Sequence, residues 1–294
     1  MPDLKKKFTL TIFAFFIFAA FTLVWAADFP FLDKSKIRLV IPAGGSKYGE
    51  VVIENPTMQE KTMRVYLEDW RYLPSADGAK EFAPAGSYPS SCTSWITFSP
   101  SDVTVPAFGQ KRVSYSVKAP AAVQGTYYAV LFFESQFAAP TPEAEGIGAG
   151  INLALRTAVL FYIEVEGTNK KAAEFSNLNA AKDPASGKLL INLDFQNSGN
   201  VDITTKGLFD IMDNQGMVYA RGEFNDTYTF AGSTAGLSAS WGEIIPKGKY
   251  SLILTFDLGR ASREAGMAGG PVIAKEAEIE IGDNGEVVGV GELK

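Results

Sequence analysis

The sequence predicts an all-β fold: two immunoglobulin-like β-sandwich domains in tandem after a signal peptide. Short runs of β-branched and aromatic residues recur at spacings of about ten residues or more, with turn residues between them. The pattern pauses at a polar stretch, Glu166–Lys171, and then starts again. The region before that stretch has no long apolar repeat with a helical period. We therefore expect a first sandwich over residues 28–166 and a second over residues 172–294.

The N-terminus has the features of a secretion signal. Three lysines, Lys5–Lys7, precede an apolar run from Phe8 to Trp25, and small residues follow it. We expect residues 1–26 to be the signal peptide, with cleavage after Ala26 or Ala27. The mature protein would then be periplasmic, or secreted or at the cell surface. Because the run is also long enough to cross a bilayer, an uncleaved membrane anchor is the alternative.

Composition excludes several classes of function. The chain has 294 residues, a net charge of −6 and no histidine. A negatively charged protein does not suit a nucleic-acid partner, and without histidine there is no imidazole for catalysis or metal binding. The single Cys92 cannot form an internal disulfide, and we expect it to be a buried or half-buried strand residue. We therefore expect a protein that is not an enzyme and uses no metal or cofactor.

The strands of the first domain are predicted from runs that favour β-structure and alternate in polarity. We expect Trp70 and Trp95 in its core, because large aromatic residues dominate sandwich interiors. The predicted strands lie at Gly49–Pro56, Met63–Trp70, Lys111–Val117, Thr126–Phe133 and Ile151–Tyr162.

The second domain is predicted from a further series of strands and turns. The turn residues at Asp213–Gly216 indicate a hairpin rather than a calcium loop, because the acidic spacing of a calcium loop is absent. A closing hairpin is predicted around Asp283–Gly285. The strands are expected at Lys188–Phe195, Gly207–Met212, Met217–Ala220, Lys249–Phe256, Ala277–Ile281 and Glu286–Val290.

The predicted strand Ile151–Tyr162 is the strongest indication of function. Large apolar residues alternate along it with smaller or polar ones, so its two faces are used differently. It follows a loop rich in proline, alanine and glycine at residues 138–150, which could leave the first half of the strand without a neighbour. Such a strand is a candidate surface for binding a strand of another chain.

Several segments of the first domain also match a known pattern in order and spacing. Val52–Pro56 is an early strand that ends in an Asn-containing turn. Trp95–Pro100, followed by Val105–Gln110, has a proline and then a turn before a basic strand. Gly125–Glu134 and Ile151–Tyr162 are two long strands joined by a long loop. In this order the segments resemble the periplasmic pilus-assembly chaperones, over most of the first domain.

That resemblance implies a two-sandwich protein that is not an enzyme and that binds an exported, pilin-like subunit. The seventh strand of the first domain would donate alternate apolar side chains to a subunit that lacks a strand. Ile151, Leu153 and Leu155 would be the donated residues. The edge strand near Lys36–Pro42 would offer unpaired backbone beside them.

The sequence leaves a second interpretation open for these side chains, namely that they pack into the core of their own sandwich. For Ile151 and Leu153, which follow a glycine-rich loop, neither interpretation is favoured. Val159 and Phe161 are expected in the core.

The resemblance also implies a basic pair that binds the terminal carboxylate of the subunit, and here the sequence departs from the family. Val159 stands where the family has a lysine on the seventh strand. Ile37 stands where it has an arginine on the first strand, with Arg38 next to it. Arg38 is thus either a lone anchor or an ordinary solvated charge. Arg156 points to the face opposite Val159 and is a further candidate contact.

Two other classes of function stay open beside a pilus-chaperone-like protein. One is a secreted or surface protein whose immunoglobulin-like modules act as structural or adhesive units, which the missing basic pair favours. The other is a polysaccharide-binding module, because exposed and buried aromatic residues cannot be told apart in the sequence.

Overall fold

The computed structural model describes residues 29–137, 153–264, 266–267 and 269–294. The predicted signal peptide, residues 1–26, lies outside them. The regular structure that is described consists almost entirely of β-strands, which confirms the predicted all-β class. Within the described residues, no helix is long and apolar enough to cross a membrane.

Residues 29–165 are called the N-terminal unit here. Its longer strands alternate between buried and exposed side chains, as expected for strands with one face in a core. Its strands are β1 (Phe31–Leu32), β2 (Lys36–Ile41), β3 (Ser46–Glu54), β4 (Lys61–Tyr72), β5 (Lys80–Pro84), β6 (Ile96–Ser99), β7 (Asp102–Val105), β8 (Gln110–Lys118), β9 (Thr126–Phe137) and β10 (Leu153–Val165).

The N-terminal unit is a sandwich of two sheets. One sheet has the strand order β1-β3-β8-β6. The other has the order β2-β10-β9-β4-β5, with β7 paired to β4. β10 runs antiparallel to β9 and parallel to β2. Apolar side chains from both sheets meet in a core whose fully buried members include Val51, Val113, Leu131, Phe133 and Phe161.

Residues 173–294 are called the C-terminal unit. The predicted domain limits, 28–166 and 172–294, remain a prediction. The elements of this unit are β11 (Ala173–Lys182), β12 (Leu189–Asn197), β13 (Ile203–Thr205), β14 (Leu208–Met212), β15 (Val218–Glu223), β16 (Thr227–Thr229), β17 (Thr234–Trp241), β18 (Gly248–Asp257), a short helix α1 (Arg260–Glu264), β19 (Val272–Ile281) and β20 (Val287–Val290).

The C-terminal unit is a second sandwich. A sheet of order β11-β12-β17 faces a sheet of order β15-β14-β18-β19-β20, and β13 pairs with β16. Its core is a separate apolar cluster, with buried Ile191, Phe195, Phe209, Leu254 and Ile279 from both sheets. The sequence prediction of two sandwiches in series is confirmed.

Both predicted hairpins are confirmed. Asp213–Gly216 joins β14 to β15, and Asp283–Gly285 joins β19 to β20. Of the two tryptophans expected in the sandwich core, Trp95 packs against it as predicted. Trp70 is buried, 1% exposed, but it lies on the outer face of its sheet and not between the two sheets, because aromatic residues of both units cover it there.

Cys92 corrects one expectation. The thiol is fully buried, as predicted, but the residue is not part of a strand. It directly precedes a 3₁₀ turn at Thr93–Trp95. The hydroxyl of Ser91 donates to Asp69 and also contacts the Thr93 hydroxyl, so side-chain hydrogen bonds hold this segment in a turn.

An aromatic cluster joins the two units. Trp70, Tyr72, Tyr128 and Tyr162 lie on the outer face of the N-terminal sheet that contains β10, and Phe230 of the C-terminal unit packs against them. We call these five residues the inter-unit aromatic cluster. It places the C-terminal unit beside the end of β10 where β2 is paired.

Candidate functional site

The two sides of β10 are paired over different lengths. On one side β9 pairs with it from Leu153 to Glu164. On the other side β2 pairs with it only from Leu160 to Val165. Among the residues that the structure describes, no strand pairs with that second side of Leu153–Val159. We call this side of Leu153–Val159 the open edge.

The backbone groups that face the open edge follow from the strand geometry. The N–H of Leu160 donates to the carbonyl of Ser35, with N and O 3.0 Å apart, and so points towards β2. N–H and C=O groups of alternate residues point to the same side of a strand. Ala154, Arg156 and Ala158 therefore direct theirs towards the open edge, in line with β2.

The burial of the side chains on one face of β10 changes along the strand. Val159 and Phe161 are fully buried in the N-terminal core, which confirms the prediction for both. Leu155 lies on the same face by alternation but is 42% exposed. Thr157 lies on the same face between Leu155 and Val159, so Leu155 is an apolar side chain beyond the point where the strand's own core covers the face.

The other two residues predicted to be donated are placed only in part. Ile151 lies outside the described residues. Leu153 is the first residue of β10 and pairs with Phe137 of β9, so the backbone of the strand reaches it. The roles of both in binding a partner remain a prediction.

Arg156 lies on the opposite face from Val159, as predicted, and it belongs to a small polar network. Its guanidinium lies 4.6 Å from the ring centre of Phe132 and 3.8 Å from the carboxylate of Glu68. It also donates to the Tyr66 hydroxyl at 3.4 Å, and this contact raises the pKa of Arg156. The network keeps a positive charge beside the open edge.

Arg38 occupies a different environment from the solvated or partner-facing one expected. Its guanidinium donates to Glu164 at 2.7 Å and to both carboxylate oxygens of Asp202, at 3.0 and 2.6 Å. It also lies over the ring of Tyr162, and its side chain is 6% exposed. Burial alone would lower the pKa of Arg38, but Asp202 and Glu164 outweigh burial and raise it. The countercharge that the prediction assigned to a partner is here supplied by the chain itself, and a partner contact remains a prediction.

Lys36 is a cation that the sequence did not single out as a site residue. It is the first residue of β2, and its ammonium lies 5.1 Å from the ring centre of Tyr162. Burial and the neighbouring Arg38 lower its pKa. Its place directly before Ile37, where the family pattern has a basic residue, was the available signal in the sequence.

Within the described part of the chain, no cluster of three or more acidic or cysteine side chains suits a metal ion. The candidate site consists of the backbone groups, the apolar side chains and the two arginines given above.

Comparisons with known proteins find similarity in structure. No family model and no curated protein matches the sequence. The class 5 fimbriae chaperone CfaA matches with a TM-score of 0.47 and 12% identity, over 84% of this chain and 98% of that one. The Salmonella enterica SafB chaperone complex matches with a TM-score of 0.40 and 11% identity, over 85% and 96%. The Pseudomonas aeruginosa CupB2 chaperone matches with a TM-score of 0.38 and 9% identity, over 84% and 98%. Structures of periplasmic pilus chaperones thus match this protein over most of its chain at low sequence identity. These chaperones belong to the family that the sequence resembles.

Proposed function

We propose that this protein binds a partner polypeptide by adding a strand of the partner to the open edge of β10. The observation that carries the proposal is the unequal pairing of β10, which continues for seven residues, Leu153–Val159, beyond its contact with β2. A bound strand would lie in line with β2 and extend the sheet by main-chain hydrogen bonds.

Main-chain pairing would supply most of the affinity. Ala154, Arg156 and Ala158 each present an N–H and a C=O group, and a hydrogen bond contributes about 0.5–1.5 kcal/mol net. Covering the exposed 42% of Leu155 adds about 1 kcal/mol, since full burial of a leucine contributes about 1.5–3 kcal/mol. The apolar side chains therefore serve mainly to select a partner with matching pockets, and Leu153 and Ile151 would extend the same row.

The sequence resemblance to pilus-assembly chaperones supports an exported, pilin-like subunit as the partner and the periplasm as the compartment. The subunit would lack a strand of its own sheet, and β10 would fill its place. The groups that carry this proposal are backbone N–H and C=O groups and apolar side chains, so the activity we propose is binding.

The proposal is tested by two variants of the exported, full-length protein. Leu155→Asp places a charge on the apolar row. Ala154→Pro removes one N–H that faces the open edge and leaves the pairing with β9 intact, since proline is tolerated where its missing N–H faces outward. We expect each variant to lower recovery of the co-purifying partner by about tenfold, a loss of about 1.4 kcal/mol, measured by quantitative mass spectrometry of the purified protein.

Leu208→Asp is the matched control, because Leu208 is a strand leucine of the C-terminal unit that is 43% exposed. It should leave partner recovery unchanged. If Leu155→Asp retains the partner as well as Leu208→Asp does, with both variants folded by circular dichroism, strand addition at this edge is wrong.

The second candidate function is a secreted or surface protein whose sandwiches act as structural units. The pairing of Arg38 with the chain's own carboxylates favours it, because Arg38 then needs no partner. Recovery of the wild-type protein alone from outside the cell, with no co-purifying chain, would support this candidate over the first.

A further inference from the structure

Three separate parts of the chain meet at the guanidinium of Arg38. Arg38 lies on β2, Glu164 lies on β10, and Asp202 lies in the C-terminal unit, just before β13. The side chains of the three residues are only 6%, 5% and 1% exposed. A single buried cation therefore links the outer strand β2 both to β10 and to the other unit.

The two carboxylates are held in place by further contacts. Asn169 donates to the second oxygen of Glu164 at 2.6 Å. The hydroxyl of Tyr128 lies 3.5 Å from Asp202. A planar guanidinium that donates two parallel hydrogen bonds to one carboxylate fixes direction as well as distance. The position of Arg38, and with it that of β2, is set by groups that are themselves fixed.

The position of β2 matters because this strand ends the open edge. β2 has six residues and lies at the end of the strand order of its sheet, so β10 is the neighbour that holds it there. The first hydrogen bond of the pair joins Leu160 to Ser35. If β2 separated from β10, the unpaired stretch of β10 would lengthen beyond Val159.

We propose that Arg38 is a positioning residue through which Asp202 of the C-terminal unit holds β2 on β10 and so sets where the open edge ends. The C-terminal unit would thereby determine how long a strand the edge accepts, although it does not lie on the edge. The biological meaning of this inference rests on the proposed strand-binding function. The effect of the Arg38–Asp202 contact on the position of β2 can be tested without a partner.

The test is native-state hydrogen exchange of the full chain, measured by NMR on Asp202→Asn. The amides of Leu160 and Tyr162 point towards β2, whereas those of Val159 and Phe161 point towards β9. We expect exchange at Leu160 and Tyr162 to become about tenfold faster relative to Val159 and Phe161. A general loss of stability would accelerate all four amides together.

Arg38→Lys is the second variant, because it keeps the charge but loses the planar pair of donors. It should accelerate the same two amides by a smaller factor. Glu81→Gln is the control, since it removes the exposed ion pair of Arg71 with Glu81, and it should change none of the four. Equal acceleration of all four amides in Asp202→Asn, or no acceleration, would overturn the proposal.

The result is independent of the partner experiment. No partner is present during the exchange measurement. A negative result would therefore contradict the positioning role of Arg38 and would not affect the proposal of strand binding. Conversely, retention of the partner by Leu155→Asp would contradict strand binding and would not affect the positioning role of Arg38.

Discussion

The rings of Tyr128 and Phe230 stack face to face, with centroids 4.0 Å apart and an angle of 18° between their planes. Tyr128 lies on β9 of the N-terminal unit, and Phe230 follows β16 of the C-terminal unit. The same phenylalanine also contacts Trp70 and Tyr72, at 5.1 and 4.9 Å between centroids. One side chain of the C-terminal unit thus fills the centre of an aromatic surface on the other unit.

Phe230→Ala is expected to destabilise the protein and to weaken the link between the units. Phe230 is partly buried, and loss of its ring with three aromatic contacts should cost about 3 kcal/mol of unfolding free energy. Urea unfolding followed by tryptophan fluorescence and circular dichroism measures this cost. Phe82→Ala is the control, because Phe82 is 38% exposed and should cost only about 1 kcal/mol. Equal costs for the two variants would contradict the role assigned to Phe230.

The thiol of Cys92 is expected to be unreactive in the folded protein. It is fully buried, and burial, followed by the nearby Asp69, raises its pKa well above the usual range. The thiolate is the reactive form, so reaction requires local opening. At pH 8 we expect an aromatic disulfide reagent to react about a hundredfold more slowly with native than with unfolded protein, which corresponds to about 2.7 kcal/mol for opening.

Two variants control the thiol measurement. Cys92→Ser should abolish the reaction in both states. Ser87→Cys, in a Cys92→Ser background, places a thiol at an exposed position and should react quickly in the folded protein. Rapid reaction of native Cys92 would mean that the turn before Thr93 opens readily.

Stability is expected to fall in alkaline solution through Tyr72. Burial raises the pKa of Tyr72 to about 12, although its hydrogen bond with Tyr162 acts in the opposite direction. In the unfolded chain a tyrosine loses its proton near pH 10. Folded Tyr72 keeps its proton where the unfolded chain has lost it, so its contribution is complete below about pH 10 and is lost between about pH 10 and 12.

Tyr72→Phe removes this titration. Its unfolding free energy should fall less steeply than that of the wild type between about pH 10 and 12, by up to about 1.4 kcal/mol per pH unit. Urea unfolding at a series of pH values measures the slope, with Tyr48→Phe at an exposed ring as the control. Identical slopes for Tyr72→Phe and the wild type would refute the assignment.

Local patterns were sufficient to predict many of the strands and turns, but β11 and β17 were not predicted. The alternation in Lys188–Phe195 predicted β12, and the turn residues of Asp213–Gly216 predicted the hairpin of β14 and β15. Both features depend on residues close together in the chain, where backbone preferences and side-chain period act directly. Cys92 shows where local patterns are insufficient. Its burial was predicted, but its segment is held in a turn by a hydrogen bond from Ser91 to Asp69, which lies 23 positions before Cys92.

The candidate site was predicted in part. The loop before Ile151 suggested that the first half of the strand lacks a neighbour. Within the described residues β9 pairs with this half on one side, and only the side that faces β2 is unpaired before Leu160. The sequence predicted the burial of Val159, but it left open whether Leu155 is exposed or packs into the core, because both are apolar residues on the same face. Their difference depends on how far the opposite sheet extends over β10.

The amino-acid order alone determined that this is a β-protein of two similar sandwiches, because the two-residue period and the turn residues act over a few positions. The tertiary structure alone decided which opposite charges pair with each other. Arg38 finds Glu164 and Asp202 at separations of 126 and 164 residues, and no local pattern can report a pairing over such distances. Folding brings these groups into a region from which water is excluded, and there a charge must be compensated by whatever the chain places beside it.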